Sequence, residues 1–213
     1  MGGVPAARPP AVHGTNFNGC TFVSLFDMRL SILVLIAVPL GLYGQTSGTC
    51  ASPFQAAASS GREIAMNLRS GDITIVGTDA DVVRVTCTNA DSSVKISFAA
   101  DHLTIRGGPD KDVHFRIEIP HATSLRIRCS AGNLTASGIS GDKDVELNAG
   151  NLTIEVGDAS AYRHVEGSVL AGNISASAFG VENDGLFRSF KKDNPGGRYR
   201  LRAELLAGNL TLR

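Results

Sequence analysis

The pentapeptide Ala-Gly-Asn-Leu-Thr stands at residues 131–135, 149–153 and 207–211, with Ala-Gly-Asn-Ile-Ser at 171–175 and a looser copy, Ser-Gly-Asp-Ile-Thr, at 70–74. Upstream of each glycine, inward and outward positions alternate: Leu125, Ile127 and Cys129 precede one copy, Lys143, Val145 and Leu147 the next, Leu201, Ala203 and Leu205 the last. Downstream, the apolar positions resume out of phase, at Leu134 and Ala136, Leu152 and Ile154, Leu210 and Leu212. Alternation at period two marks a half-buried strand. A phase change in mid-strand means that one residue has been inserted, so the strand must bulge or bend for both arms to face one core. Glycine, and to a lesser degree Asn and Asp, tolerates the positive φ that such a point requires. Gly71 and Asp72, Gly132 and Asn133, Gly150 and Asn151, Gly172 and Asn173, and Gly208 and Asn209 are therefore read as structural corners. Exchange of Asn for Asp is expected to be a small change, because Asp72 already fills one of them.

The last four corners recur at spacings of 18, 22 and 36 residues. Units this short cannot bury a face alone and must stack on one another. With 24 glycines and no Trp, this predicts an all-β fold, a repetitive β-solenoid of β-helix or β-roll type, forming a single domain over residues 61–213. Val83, Val85 and Cys87, and Val113, Phe115, Ile117 and Ile119, alternate in the same way, and two more strands flank Asp101 and His102. Residues 181–194 break the pattern and read as an insertion or loop, with Phe187 and Phe190 capping the open end of the core. Residues 28–44 carry one Arg, an uncharged apolar run and then small residues, the build of a signal peptide. The run from Leu30 to Leu42 is short for a membrane span, which takes about 20 residues; cleavage after Gly44 is expected, with a retained anchor as the alternative. Residues 1–27 have no place in a signal peptide, so Met28 competes with Met1 as the start, and residues 45–60, small and uncharged, read as a flexible leader.

Export would place Cys50, Cys87 and Cys129 where disulfides persist. Cys87 and Cys129 share inward parity, so a Cys87–Cys129 disulfide with Cys50 free is one expectation and two reduced core thiols the other. A formal net charge of zero removes the basic footprint of a nucleic-acid binder. Asn133, Asn151, Asn173 and Asn209 each begin an N-x-Ser/Thr sequon, but all four fall at the same corner of the same repeat and are read as structural rather than as glycan acceptors. Asp79 and Asp81, Asp110 and Asp112, and Asp142 and Asp144 each pair two carboxylates in a turn, short of the six to eight oxygens that calcium takes. His102, His114, His121 and His164 lack a zinc-binding spacing, and no nucleophile elbow is present. No catalytic, cofactor or metal residue is assigned. The outward Arg126, Arg128, Arg198, Arg200 and Arg202 form either a basic stripe or a solvated face.

The run "FRIEIPHATSLRIRCSAGNLTASGISGDKDVELNAGNLTIEV", with the closing "GGRYRLRAELLAGNLTL", resembles the bacterial putative-adhesin family of β-strand-repeat domains, a domain of unknown function, over Ile64 to Arg213. The resemblance implies an extracytoplasmic, solenoid-like domain and carries over no catalytic residue. Asn replaces the family's common Asp at four of five corners, which speaks against cation binding there. The function expected is a non-catalytic secreted or cell-envelope module, a structural or adhesive scaffold for a surface protein or polysaccharide. The alternative is a β-helix enzyme acting on polysaccharide. Nucleic acid is not expected as a partner, and a membrane only if the leader is retained.

Overall fold

A computed structural model describes residues 44–107 and 112–213. The expected signal peptide, the extension before it and Asp110 lie outside the described residues. Among the described residues there are twelve strands: β1 (Thr46–Thr49), β2 (Phe54–Ala57), β3 (Glu63–Thr78), β4 (Val82–Thr88), β5 (Lys95–Ala99), β6 (His102–Arg106), β7 (His114–Pro120), β8 (Ser124–Ser137), β9 (Lys143–Ile154), β10 (Tyr162–Ala176), β11 (Val181–Asp193) and β12 (Tyr199–Leu212). Two single 3-10 turns, Ala159–Ala161 and Ser177–Phe179, are the only helical pieces among the described residues. The fold is all-β, one hydrogen-bonded sheet that does not close on itself.

The five corner-bearing strands are neighbours, in the order β3-β8-β9-β12-β10, all parallel and in register. Parallel neighbours ordinarily need a connection of a dozen residues or more, yet only residues 138–142 join β8 to β9. Such a short return works because each strand bends at its corner, so that its end comes back toward its own start. Burial follows the bend: in β9, Val145 and Leu147 are buried before the corner, and Leu152 and Ile154 after it. Both arms thus feed one core.

At the corner the glycines stack, Gly71 on Gly132 on Gly150 on Gly208 on Gly172. Gly150 has φ +128°, a region that side chains strain to adopt. A Cβ on Gly150 would also lie inside the van der Waals envelope of the Gly132 carbonyl oxygen, and one on Gly208 inside that of Gly150. Glycine is therefore required twice over, for its dihedral and for the approach of one backbone to the next. The corner asparagines are not among the residues with positive φ, so tolerance of left-handed geometry does not explain their presence.

Beyond β3 the two arms are continued by separate strands. β6, β5 and β1 extend the arm before the corner, and β7, β4 and β2 the arm after it. These layers lack the Gly-Asn corner, and a Cys50–Cys87 disulfide, with Cα atoms 5.4 Å apart, ties the outermost two together. The Cys87–Cys129 pairing expected from parity does not occur. β7 and β3 lie between the strands that carry these residues, and strands spaced about 4.8 Å apart put them well beyond the roughly 7 Å limit for bridging Cα atoms. Cys129 is a buried free thiol whose Sγ donates to the Arg69 carbonyl at 3.0 Å; burial pushes its pKa up to about 11. The segment expected to be a flexible leader instead forms β1 and β2, with Phe54 buried.

The rungs do not stack in chain order, since β12 inserts between β9 and β10. A further expectation is corrected by the pairing. Residues 181–194 are mostly not a loop: β11 runs antiparallel beside β10, placing Gly185, with φ +115°, opposite Gly172 and Asp184 opposite Asn173. The corner is present there, written backwards. Phe190 is buried over Gly167, but Phe187 is 79% exposed and caps nothing.

Among the described residues, one buried inward position holds a charged side chain. Lys143 lies in register between Leu125 and Leu201 and is 2% exposed. Its Nζ donates to the Ile139 carbonyl at 2.9 Å and to the Tyr162 hydroxyl, closing the return loop. Burial pulls its pKa from 10.5 down to about 8 and pushes that of Tyr162 from 10 up to about 12.

Gly150→Ala is expected to cost roughly 3 kcal/mol or more, because the φ strain is joined by a backbone that must move. Gly157→Ala, at φ +69° in open space, should cost only about 1 to 2 kcal/mol. Equal losses in urea denaturation would remove close approach from the account. For Lys143, pH separates the folded and unfolded chains. Between pH 8 and 10.5 the amine is charged only when unfolded, so unfolding takes up a proton and stability rises with pH. Tyr162 acts oppositely from pH 10 to 12, ionising first in the unfolded chain. Stability should therefore climb from pH 8 to 10 by on the order of 1 to 3 kcal/mol, and Lys143→Met should abolish the climb; a flat wild-type profile would place this amine in water.

Candidate functional site

The corner residue that follows each glycine points outward, and its side chains form a ladder. Asn133 Nδ2 donates to Asp72 Oδ1, Asn151 Nδ2 to Asn133 Oδ1, and Asn209 Nδ2 to Asn151 Oδ1, each at 2.7 Å. The direction follows from chemistry: ionised Asp72 can only accept, so Asn133 must turn its amide N–H toward it, which leaves Asn133 Oδ1 for Asn151, and so on outward. The second carboxylate oxygen of Asp72 faces His114 Nδ1 at 3.3 Å. Asn173 is in backbone register with Asn209. Asn133 and Asn151 each use one N–H and one lone pair on their neighbours, which leaves one of each for solvent or a ligand.

Two residues further along, on the same face, Thr74, Thr135, Thr153, Thr211 and Ser175 stack in the same order. The N-x-Ser/Thr spacing that defines a sequon is also the spacing that puts an amide and a hydroxyl on one side of a strand. The result is an outward array of two polar columns across five rungs, repeating at about 4.8 Å along the stack. Reasoning from sequence missed the hydroxyl column, although the sequons carried its signal.

Before the corner, the outward face is a mesh of ion pairs. Arg126 bonds Glu63 (3.2 Å), Arg128 bonds Asp144 (2.9 Å) and Glu146 (3.0 Å), and Arg202 bonds Asp144 (3.4 Å), Glu146 (3.2 Å) and Glu204 (2.5 Å). Acids of β9 stand between arginines of β8 and β12, so of the two readings of these arginines the basic stripe is neutralised. Arg200 donates its backbone N–H to Asp142 Oδ1 at 2.8 Å, and the Arg198 guanidinium lies over the Tyr199 ring at 5.1 Å. Among the described residues, the turn acids included, no group of three or more His, Cys, Asp or Glu has metal-binding geometry. The histidines are dispersed, with His102 on Asn67, His114 on Asp72, His121 on Asp79 and His164 on Asp193.

Between mesh and corner lies a groove of about 380 Å³ whose lining includes the acids Glu146 and Glu204 and the apolar Leu170, Leu206 and Phe187. The leucines occupy the inserted position of their strands, the extra residue that makes the phase change. Along the stack that column reads Arg69, Ser130, Asn148, Leu206, Leu170 and, on β11, Phe187. It grades from polar to apolar, and its apolar end is solvent-exposed.

Asn151→Asp, a mild change on the sequence argument, is expected to cost about 1 kcal/mol at neutral pH. The new carboxylate would face Asn133 Oδ1, and Asn133 cannot turn over without losing Asp72. Protonation restores a donor, so the gap to wild type should narrow below about pH 4. Denaturation midpoints at pH 7 and pH 3.5 test this; a variant matching wild type at both would show the ladder to be idle.

No family model and no curated protein matches the chain. Among solved structures, a crystal structure described as a "putative cell adhesion protein" from Clostridium sporogenes ATCC 15579 is similar at 12% identity, with a TM-score of 0.45, covering 79% of this chain and 98% of that one. No helix among the described residues is long and apolar enough to cross a membrane.

Proposed function

We propose that the chain is a non-catalytic, extracytoplasmic β-solenoid-like scaffold whose outer face binds an extended component of a cell surface, polysaccharide or protein. The observation that carries this reading is the five-rung array of corner amides and hydroxyls. A flat surface repeating at a fixed interval suits a partner that is itself extended, because contacts too weak to hold singly add along its length. The Cys50–Cys87 disulfide supports an oxidising compartment. The polysaccharide-cleaving alternative would look to Glu146 and Glu204 at the groove, and both are engaged by Arg202.

Immobilised cell-surface polysaccharides and envelope proteins, presented to the exported protein, test the proposal. Affinity should rise steeply with ligand length up to about the span of five rungs, roughly 20 Å. Replacing Thr135, Thr153 and Thr211 together by Val, which suits strands equally well, should weaken binding about tenfold or more while leaving the fold intact. Unchanged binding by that variant would overturn the array as the binding face. New reducing ends accumulating with time, and lost in Glu204→Gln, would establish the enzyme instead.

A further inference from the structure

We infer that two copies of this chain associate through the outer edge of β11, antiparallel, about a two-fold axis passing between Leu186 and Phe187. β11 ends the sheet and pairs with β10 alone, so among the described residues its other edge is unpaired by any strand. The two most exposed large apolar side chains, Phe187 (79%) and Leu186 (63%), lie at its corner, continuing the ridge of Leu206 (53%) and Leu170 (44%).

The bend restricts which strand can pair with this edge. In β10 the adjacent residues Leu170 and Ala171 both lie on the outer side of the phase change; β11 pairs Leu186 with Ala171, and the register passes over Leu170 and Phe187 together, one residue on each strand. Doublet against doublet keeps inner faces inward on both sides of the corner; any odd shift turns one arm inside out. A strand added to the free edge must obey the same rule, and a second β11 does so in one arrangement. Leu186 then lies opposite Phe187 of the partner subunit, and Phe187 opposite Leu186 of the partner subunit. The two-fold bisects the corner, so the arm before the bend in one copy continues the arm after it in the other.

The charges select this register. It sets Glu182, outward on β11 beside Ser175, opposite Lys191 of the partner subunit, which is also outward, and symmetry makes the contact twice. Directly opposed unlike charges favour strand pairing and like charges oppose it. Shifting by two residues brings Glu182 against Asp193 of the partner subunit in one direction and against Ser189 of the partner subunit in the other, and both shifts misalign the bends. Lys191 already holds Glu166 at 3.0 Å within its own chain, so the dimer would place it between two carboxylates. Lys191, Lys192 and the positive φ of Phe187 (+53°) are features that deter indiscriminate edge pairing; they disfavour a strand without acids at matching places and admit this one.

Sedimentation equilibrium of the full chain tests the inference. Wild type should show a concentration-dependent dimer. Phe187→Asp should raise the dissociation constant by about tenfold or more while the circular dichroism spectrum stays that of wild type. Glu182→Lys and Lys191→Glu should each weaken the dimer and the double reversal restore it. Mixing Glu182→Cys chains with Lys191→Cys chains should give a disulfide-linked heterodimer under mild oxidation that neither forms alone. A wild-type monomer at every concentration, a dimer indifferent to Phe187→Asp, or a double reversal no tighter than the single variants would overturn it. These readouts involve no surface ligand, so they stand or fall apart from the proposed binding function.

Discussion

The approach of one backbone to the next at the glycine column governs this structure. With the Cβ position of Gly150 taken up by the Gly132 carbonyl, and that of Gly208 by Gly150, adjacent rungs can meet in a single register. Hydrogen bonding between parallel strands would otherwise permit slips of two residues at modest cost. Once the corner is locked, every other column is locked with it: the core positions, the Asn ladder, the threonines and the ion-pair mesh all inherit an alignment they would be too weak to impose. The exposed ion pairs contribute at most about 1 kcal/mol each, and the ladder bonds are of similar size. They depend on the register and do not set it.

What could be read in the sequence was local, and what could not was the order of layers. The phase change from Leu147 to Leu152 is visible in one repeat, because inward positions at period two need no knowledge of neighbours. The position of β12 between β9 and β10 is not visible, since copies that are nearly identical carry no address for their partners. Cysteine pairing fails for the same reason: Cys87 and Cys129 share an inward parity, but which sulfurs meet depends on how many strands intervene. The corner of β11 escaped because its strand runs the other way, so Gly185 follows Asp184 where the forward motif has glycine first. Phe54 was lost in a segment whose small, uncharged neighbours resemble a linker.

The polar groups obey a different economy from the core. A ladder of identical amides has no intrinsic direction, and a chain of them could be oriented either way or frustrated in the middle. The carboxylate at Asp72 removes that freedom, because an acceptor at one end orients Asn133, Asn151 and Asn209 in turn. The loose copy of the repeat is thus the one that orders the others. Lys143 shows the converse. An amine in an inward slot opposes folding at neutral pH, and it persists beside Leu125 and Leu201 because Ile139 and Tyr162 give its protons somewhere to go.

A stack of like rungs has no inherent reason to stop, and each end of this one presents an edge on which further strands could add. The two ends solve that problem differently. At the β3 end the bent strand gives way to separate short strands, the first layer parallel to β3 and the next two alternating in direction, and a disulfide joins the last two layers, which lack the glycine corner. At the other end a single reversed strand carries Arg188 and Lys192 on the side where the rungs before it carry Val169 and Val165. Charge on that side ends the apolar core, and reversal changes the rule for what can follow. A strand added to β11 must match an exposed doublet of Leu186 and Phe187, not a forward doublet such as Leu170 and Ala171. Reversal thus turns an edge that would accept any further repeat into one that discriminates, and it does so with the same Gly-centred corner that built the stack.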